Sequence, residues 1–246
     1  MELASVLLSP QTIATLAVGL IAGLIRGYTG FGGAIFAIPL LSLIYGPTSA
    51  VALVLAAGLV GTAQLMPGAL PMATWRQIVP LVLVSLVFTP LGTWVLLTTD
   101  PDYVRRGLGL FVLVAAVTMM RDWSWQGPRT PLISGIVGAV SGIVTGIGGI
   151  GGSVATLYLI SSGQPVKVIR ANLIIIIGAL TIAGFVYLLL AGAILFDDLF
   201  KMLIYLPTYM AFIWVGARIF RGTSDALYRQ VALWLLAAVG IIATIW

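Results

Sequence analysis

Cysteine and histidine are both absent from this chain of 246 residues, and only 8% of its residues are charged. Without cysteine there is no disulfide and no thiolate metal site. Without histidine, imidazole ligation, Ser-His and Cys-His nucleophiles and zinc-activated water are closed as well. The shortage of charge excludes more. A soluble domain covers its surface by placing charge on about a quarter of its residues, which this chain cannot do. No basic domain stands apart to bind nucleic acid, although the net charge is +5. The lysines and arginines instead fall at the ends of apolar runs.

Those runs are what the chain has in abundance. Hydrophobic residues make up 61% of it and the mean hydropathy is +1.16. Stretches such as LASVLLSPQTIATLAVGLIAGLI and LIIIIGALTIAGFVYLLLAGAIL reach the roughly 20 residues needed to cross a bilayer. In lipid only helices satisfy the backbone of an isolated segment, so the chain reads as an all-α polytopic membrane protein. The start, MELASVLLSP, carries an acid and no lysine or arginine, unlike the basic region of a cleaved signal peptide. The first apolar segment is therefore expected to stay.

Ten apolar segments are expected, near 10–29, 31–45, 48–66, 75–98, 102–120, 131–145, 150–162, 166–190, 198–219 and 225–246, separated by turn chemistry such as YGPTS, MPGALP, TTDPD, SSGQP and RGTSD. The longest polar stretch, around 121–131, lies mid-chain and divides five segments from five. The expected organisation is thus an N-terminal repeat (1–122), a connecting loop (123–130) and a C-terminal repeat (131–246). Each repeat would hold two short helices meeting at a glycine-rich break, plus three longer spans. An odd number of crossings per repeat, whether the short pair crosses or dips and returns, makes the repeats inverted.

The duplication shows in the glycines. Gly19, Gly23 and Gly27 precede Thr29-Gly30-Phe31-Gly32-Gly33; Gly138 and Gly142 precede Thr145-Gly146-Ile147-Gly148-Gly149. Aligning these two motifs requires one inserted residue in the second copy. The ladders of glycines spaced by four suit close helix packing. The clusters weaken the helix and free backbone N–H groups, which are tolerated at membrane depth only inside protein or beside a watery cavity. The following helix would aim its N-terminus, with about half a positive charge, at the break. Two such ends meeting at mid-depth make an anion site.

Arg26 stands beside the first break. All seven acids, Glu2, Asp100, Asp102, Asp122, Asp197, Asp198 and Asp225, are assigned to termini or loops, so its partner is backbone carbonyl, a bound anion or, if it snorkels, water. Ser153 is expected to join the N–H groups of its helix or simply cap it. Asn172 offers an amide to an anion or to a neighbouring helix, and Arg170 is a funnel residue or a surface anchor. The substrate-binding set is therefore Arg26, Thr29, Gly30, Phe31, Gly32, Gly33, Thr145, Gly146, Gly148, Gly149, Gly151, Gly152, Ser153 and Asn172. With loops alternating sides, Arg76, Arg121, Arg129, Lys167, Arg170, Arg218, Arg221 and Arg229 fall on one side and Arg105, Arg106 and Lys201 on the other. The positive-inside rule then puts both termini outside the cytoplasm. Trp75, Trp123, Trp125, Trp214 and Trp246 read as interface anchors.

With these features the sequence resembles the TauE/SafE family, membrane proteins often called sulfite exporters. The resemblance spans nearly the whole chain. It rests on the duplicated half and on GYTGFGGAIFAIPLL, with Gly30, Gly32, Gly33, Pro39 and Leu40 at the family's positions. The second copy, GIVTGIGGIGGSVATLYL, keeps Gly146, Gly148, Gly149, Gly151 and Gly152 but has Ala155 and Thr156 opposite Pro39 and Leu40. The resemblance implies transport of sulfite, thiosulfate, an organosulfonate such as sulfoacetate, or another small organic anion across the inner (plasma) membrane. The expected partners are that anion and the bilayer, without nucleic acid, cofactor or metal, and a homodimer is compatible with the sequence. The alternative is a channel-like pore for small anions, carboxylates included. An intramembrane enzyme lacks its usual groups here, and so does a permease for transition metals.

Overall fold

In the computed structural model, residues 9–120, 127, 129–160, 162–224 and 227 are described. They hold nine α-helices and no strand: α1 (Pro10–Thr29), α2 (Gly33–Tyr45), α3 (Pro47–Ala69, extended by a 3-10 turn, Leu70–Met72), α4 (Trp75–Thr98), α5 (Pro101–Met120), α6 (Pro131–Gly148), α7 (Gly152–Ile160), α8 (Val166–Leu190) and α9 (Phe196–Phe220). Apart from Leu227, the tenth expected segment lies outside the described residues, as do Arg121, Arg229, Trp123, Trp125 and Trp246. Six of the helices, α1, α3, α4, α6, α8 and α9, are long and apolar enough to cross a membrane. The protein is a multi-pass helical membrane protein.

Local chemistry sets the helix ends. Ser9 caps α1, accepting from the Thr12 N–H (3.2 Å), and Thr130 caps α6, accepting from Ile133 N–H (3.3 Å). In each case proline takes the first helical position, where its missing N–H costs nothing. α1 and α6 are full-length helices, not the short ones expected on both sides of each break. Only α2 and α7 are short, with 13 and 9 residues, which at 1.5 Å per residue span about 20 and 14 Å. Neither crosses a bilayer alone. α2 instead doubles back along α1: Gly33 lies beside Ala22 and Arg26, and the Tyr45 hydroxyl reaches Thr15 Oγ1 at 2.7 Å. α7 likewise returns along α6, its Tyr158 hydroxyl 2.9 Å from Ser134 Oγ.

The close helix pairs are α1 with α9, α4 with α6, and α3 with α8. Glycine makes the first two pairs tight. Gly19, Gly23 and Gly27 lie in order against Tyr205, Tyr209 and Ile213, and Gly138, Gly142 and Gly146 lie in order against Leu81, Ser85 and Thr89. Matching order means that each pair runs parallel. At five of these six positions a Cβ would collide with a backbone carbonyl oxygen, and at Gly19 it would be crowded against Tyr205. Packing is therefore what the ladders do. Between α3 and α8 the order reverses: Leu55 meets Gly184, Gly58 meets Thr181, and Thr62 meets Gly178. This central pair is antiparallel and lies in the core; its residues 50–58 and 171–176 are all buried. Leu83, Val87, Leu91 and Trp94 of α4, with Leu132, Ile136 and Val140 of α6, face outward, as an apolar rim in contact with lipid should.

Arg76, Arg129, Lys167, Arg170, Arg218 and Arg221 share one end of the bundle, the end where α4, α6 and α8 begin and α9 finishes. Lys201 and Arg106 stand at the other. Asp198 departs from the sequence expectation. It is not in a loop but in the first turn of α9, fully buried, accepting from Leu195 N–H (3.0 Å) and paired with Lys201 at 2.7 Å. The pair is tolerated because the carboxylate also closes the N-terminus of its own helix.

Candidate functional site

α1 ends at Gly30, whose φ of 81° is left-handed and whose N–H returns to Arg26 O (2.9 Å). α6 ends the same way at Gly149, with φ 66° and its N–H on Thr145 O (2.7 Å). Glycine enters this region without the penalty a Cβ brings. α2 then starts at Gly33 and α7 at Gly152. The two breaks therefore correspond as Gly30-Phe31-Gly32-Gly33 and Gly149-Ile150-Gly151-Gly152, each residue 119 positions after its counterpart (30 to 149, 33 to 152). This corrects the motif alignment made from sequence, which paired Gly30 with Gly146. With the offset of 119 the ladders also match, 19, 23 and 27 with 138, 142 and 146, and no insertion is needed. Leu40 then corresponds to Leu159, and Pro39 to Tyr158.

Both breaks line one cavity of about 30 Å³. Arg26, Gly32, Gly33, Gly149, Gly152 and Ser153 line it from the expected set. Its other walls are Ala34, Ile35, Val54, Gly58, Ile150, Ile177, Thr181 and Tyr209. Gly58, Ile177 and Thr181 fall near the middle of α3 and α8, and Tyr209 near the middle of α9, so the cavity sits at mid-length of the bundle. The first helical hydrogen bond into α2 is donated by Phe36 N–H to Gly32 O (3.2 Å). The N–H groups of Gly33 to Ile35 precede it and are the unpaired first turn of a helix, beside the cavity. Ser153 donates its hydroxyl to Ile150 O (2.6 Å), and so ties down the turn that leads into α7.

Arg26 is 3% exposed, which rules out snorkelling. Its Nη1 donates to Gly30 O at 2.5 Å and its Nη2 to Thr62 Oγ1 at 3.2 Å, while Nε has no partner. The guanidinium thus holds the carbonyl end of α1, and the Arg26 side chain forms part of the cavity wall. At the matching position of the second break, 145, stands Thr145, which donates to Ser141 O (2.8 Å). The charge is on one side only.

The remaining expected residues hold the breaks from behind. Thr29 accepts from Phe31 N–H (3.1 Å) and donates to Ile25 O (2.7 Å). Gly30 rests on the Arg170 side chain, and Phe31 is buried in the core. Thr145 and Gly151 are in contact, Gly146 packs on α4, and Gly148 faces Leu108 of α5. Asn172 is elsewhere: its Oδ1 accepts from Thr74 N–H (2.9 Å) and its Nδ2 donates to Thr74 Oγ1 (2.6 Å), pinning the α3–α4 turn to α8. Tyr209, Gly58 and Thr181 carried no signal in the sequence. They lie in ordinary helical runs, and only the packing of α3, α8 and α9 turns them inward.

A sequence model described as the sulfite exporter TauE/SafE family matches residues 15–242. The chain belongs to the TauE/SafE family. Membership implies a membrane transporter of sulfite-like anions and fits a protein that is not an enzyme. No curated protein and no solved structure matches the chain.

Proposed function

We propose that this TauE/SafE protein is a carrier that exports a small sulfur-containing anion, such as sulfite, thiosulfate or an organosulfonate, through the cavity between the two breaks. The observation that carries this reading is the meeting of Gly32-Gly33 and Gly149-Gly152 at one mid-length cavity beside Arg26. The N-terminus of α2 and an arginine supply donors and positive charge to an oxyanion without a metal ion or an acid. At α7, by contrast, the Ser153 and Val154 N–H groups are already taken by Ile150 O and Gly151 O, both at 3.1 Å. The chain offers nothing there for a soft metal.

Inverted repeats underlie the site in this reading. The common offset of 119, the exchange of partners (α1 on α9, α6 on α4) and the antiparallel crossing of the equivalent α3 and α8 all support a two-fold axis in the membrane plane. The basic end is then cytoplasmic by the positive-inside rule, and both termini are outside.

A carrier is favoured over an open pore by the size of the cavity. About 30 Å³ admits roughly one water, and a sulfur oxyanion is larger. The hairpins must part to load it, which is the behaviour of alternating access. The test is counterflow in proteoliposomes: unlabelled sulfite or sulfoacetate trapped inside should drive transient accumulation of labelled substrate. Flux that only runs down its gradient and never saturates would replace the carrier with the channel.

A further inference from the structure

A second and larger cavity, about 430 Å³, opens at the basic end of the bundle. Lys167, Arg170 and Arg221 contribute three cations to its lining, together with Gln64. The described acids, Asp100, Asp102, Asp197 and Asp198, are all at the opposite end, so no described carboxylate offsets this charge. Apart from Thr223 the remaining wall is apolar, with Leu65, Ile174, Trp214 and Phe220 prominent. A site for a bare inorganic anion needs no such wall.

We propose that this vestibule is a separate binding site for organic anions with a short hydrocarbon part, such as alkylsulfonates. It collects them before they reach the inner cavity, and in this it rests on the anion-transport reading. The anionic head sits among Lys167, Arg170 and Arg221, and the hydrocarbon part lies along Trp214, Leu65 and Ile174. The vestibule adjoins the first break through one residue. Arg170 donates from Nε to Tyr28 O (3.2 Å) and from Nη2 to Gly27 O (2.6 Å), with its guanidinium 4.2 Å from the Phe220 ring centroid. Its aliphatic stem is the surface on which Gly30 rests. Gly30 O is in turn held by Arg26, in the inner cavity. An anion in the vestibule competes with those carbonyls for Arg170 and so acts directly on the backbone that closes the way inward.

The experiment is calorimetric titration of the purified protein in neutral detergent with methane-, ethane- and propanesulfonate. Arg170 also supports α1, so the test uses the exposed pair Lys167→Ala/Arg221→Ala. Ala34→Val, at an unstrained helical position, fills the inner cavity without touching the vestibule. Ala34→Val should keep the vestibule component of wild-type propanesulfonate binding. Affinity should rise with chain length by up to about fourfold per methylene, and the double variant should bind about tenfold more weakly. Binding unchanged in the double variant, lost in Ala34→Val, or indifferent to chain length would overturn the proposal. So would its abolition by phosphatidylglycerol added to the micelles, which would give the cations to a lipid headgroup. The anion-transport reading fails separately, if Ala34→Val still transports sulfite at the wild-type rate.

Discussion

In the proposed site Arg26 has two tasks, because one side chain both holds the end of α1 and lies at the cavity. Removing it leaves Gly30 O and Thr62 Oγ1 without their donor, at a cost of about 1–3 kcal/mol, and removes the cavity's fixed charge. Arg26→Ala is therefore expected to lower the melting temperature and to abolish sulfite transport. Arg26→Lys keeps a point charge without the planar fork, so it should retain part of the affinity. Substrate titration of the folded variants checks this; equal affinity in wild type and alanine variant would remove Arg26 from the site. A second residue-scale expectation concerns Gly149. Its left-handed φ of 66° makes any side chain there costly, by about 1–2 kcal/mol, and valine would also press on Ile38 and Leu55, whose side chains lie 3.7 Å from where its Cβ would stand. Gly149→Val should insert in the membrane yet transport nothing.

Among the elements, the glycine ladders set how closely α4 and α6 approach. A side chain at Gly142 must displace the Ser85 carbonyl, and neither backbone can move without parting the pair. Gly142→Val is expected to destabilise the protein by about 1–3 kcal/mol. Gly135, on the same helix, has only Val84 Cγ2 at 3.6 Å from where its Cβ would stand. Gly135→Ala should be neutral, or stabilise by up to about 1 kcal/mol through helix propensity. Thermal unfolding of the two variants side by side separates tight packing from a general dislike of substitution. At the start of α9 the Asp198–Lys201 pair joins Ser49 of α3, which lies 3.4 Å from Lys201 Nζ. Lys201→Met strands a buried carboxylate. Lys201 is itself partly exposed (21%), so the loss should be about 1–3 kcal/mol, below the range for a fully buried pair.

For the molecule as a whole, the asymmetry of charge predicts orientation and energetics together. A reporter that fluoresces only in the cytoplasm, fused after Trp246, should stay dark. Among the described residues no acid or histidine is placed at the inner cavity to carry a proton, so transport is expected to be electrogenic. A negative cytoplasm drives an anion outward by about 2.3 kcal/mol per charge at 100 mV. In proteoliposomes at fixed pH and without sodium, flux of a low-pKa sulfonate should follow an imposed potassium-diffusion potential. Dependence on a pH gradient alone would reverse this view.

Much of this was legible in the residues themselves. The lack of charge, cysteine and histidine determined a helical membrane protein without thiolate or imidazole chemistry, because composition alone decides which solvent a surface can meet. Glycine spacing showed where helices touch and where they break, since a missing Cβ has local consequences whatever the fold. The sequence also marked Arg26, through the absence of any acid placed to pair with it. Tertiary structure decided the rest. Thr-Gly-apolar-Gly-Gly matches twice as text, but the break needs a left-handed residue followed three positions later by a new helix, and that selects Gly149 over Gly146. Asn172 and Ser153 looked alike as buried polar groups until packing gave one to Thr74 and the other to the cavity wall. Tyr209, Gly58 and Thr181 face that cavity only because α3, α8 and α9 cross at mid-length. Which face of an apolar helix turns inward is set by its neighbours, and in lipid the hydrophobicity of the two faces differs too little to record it.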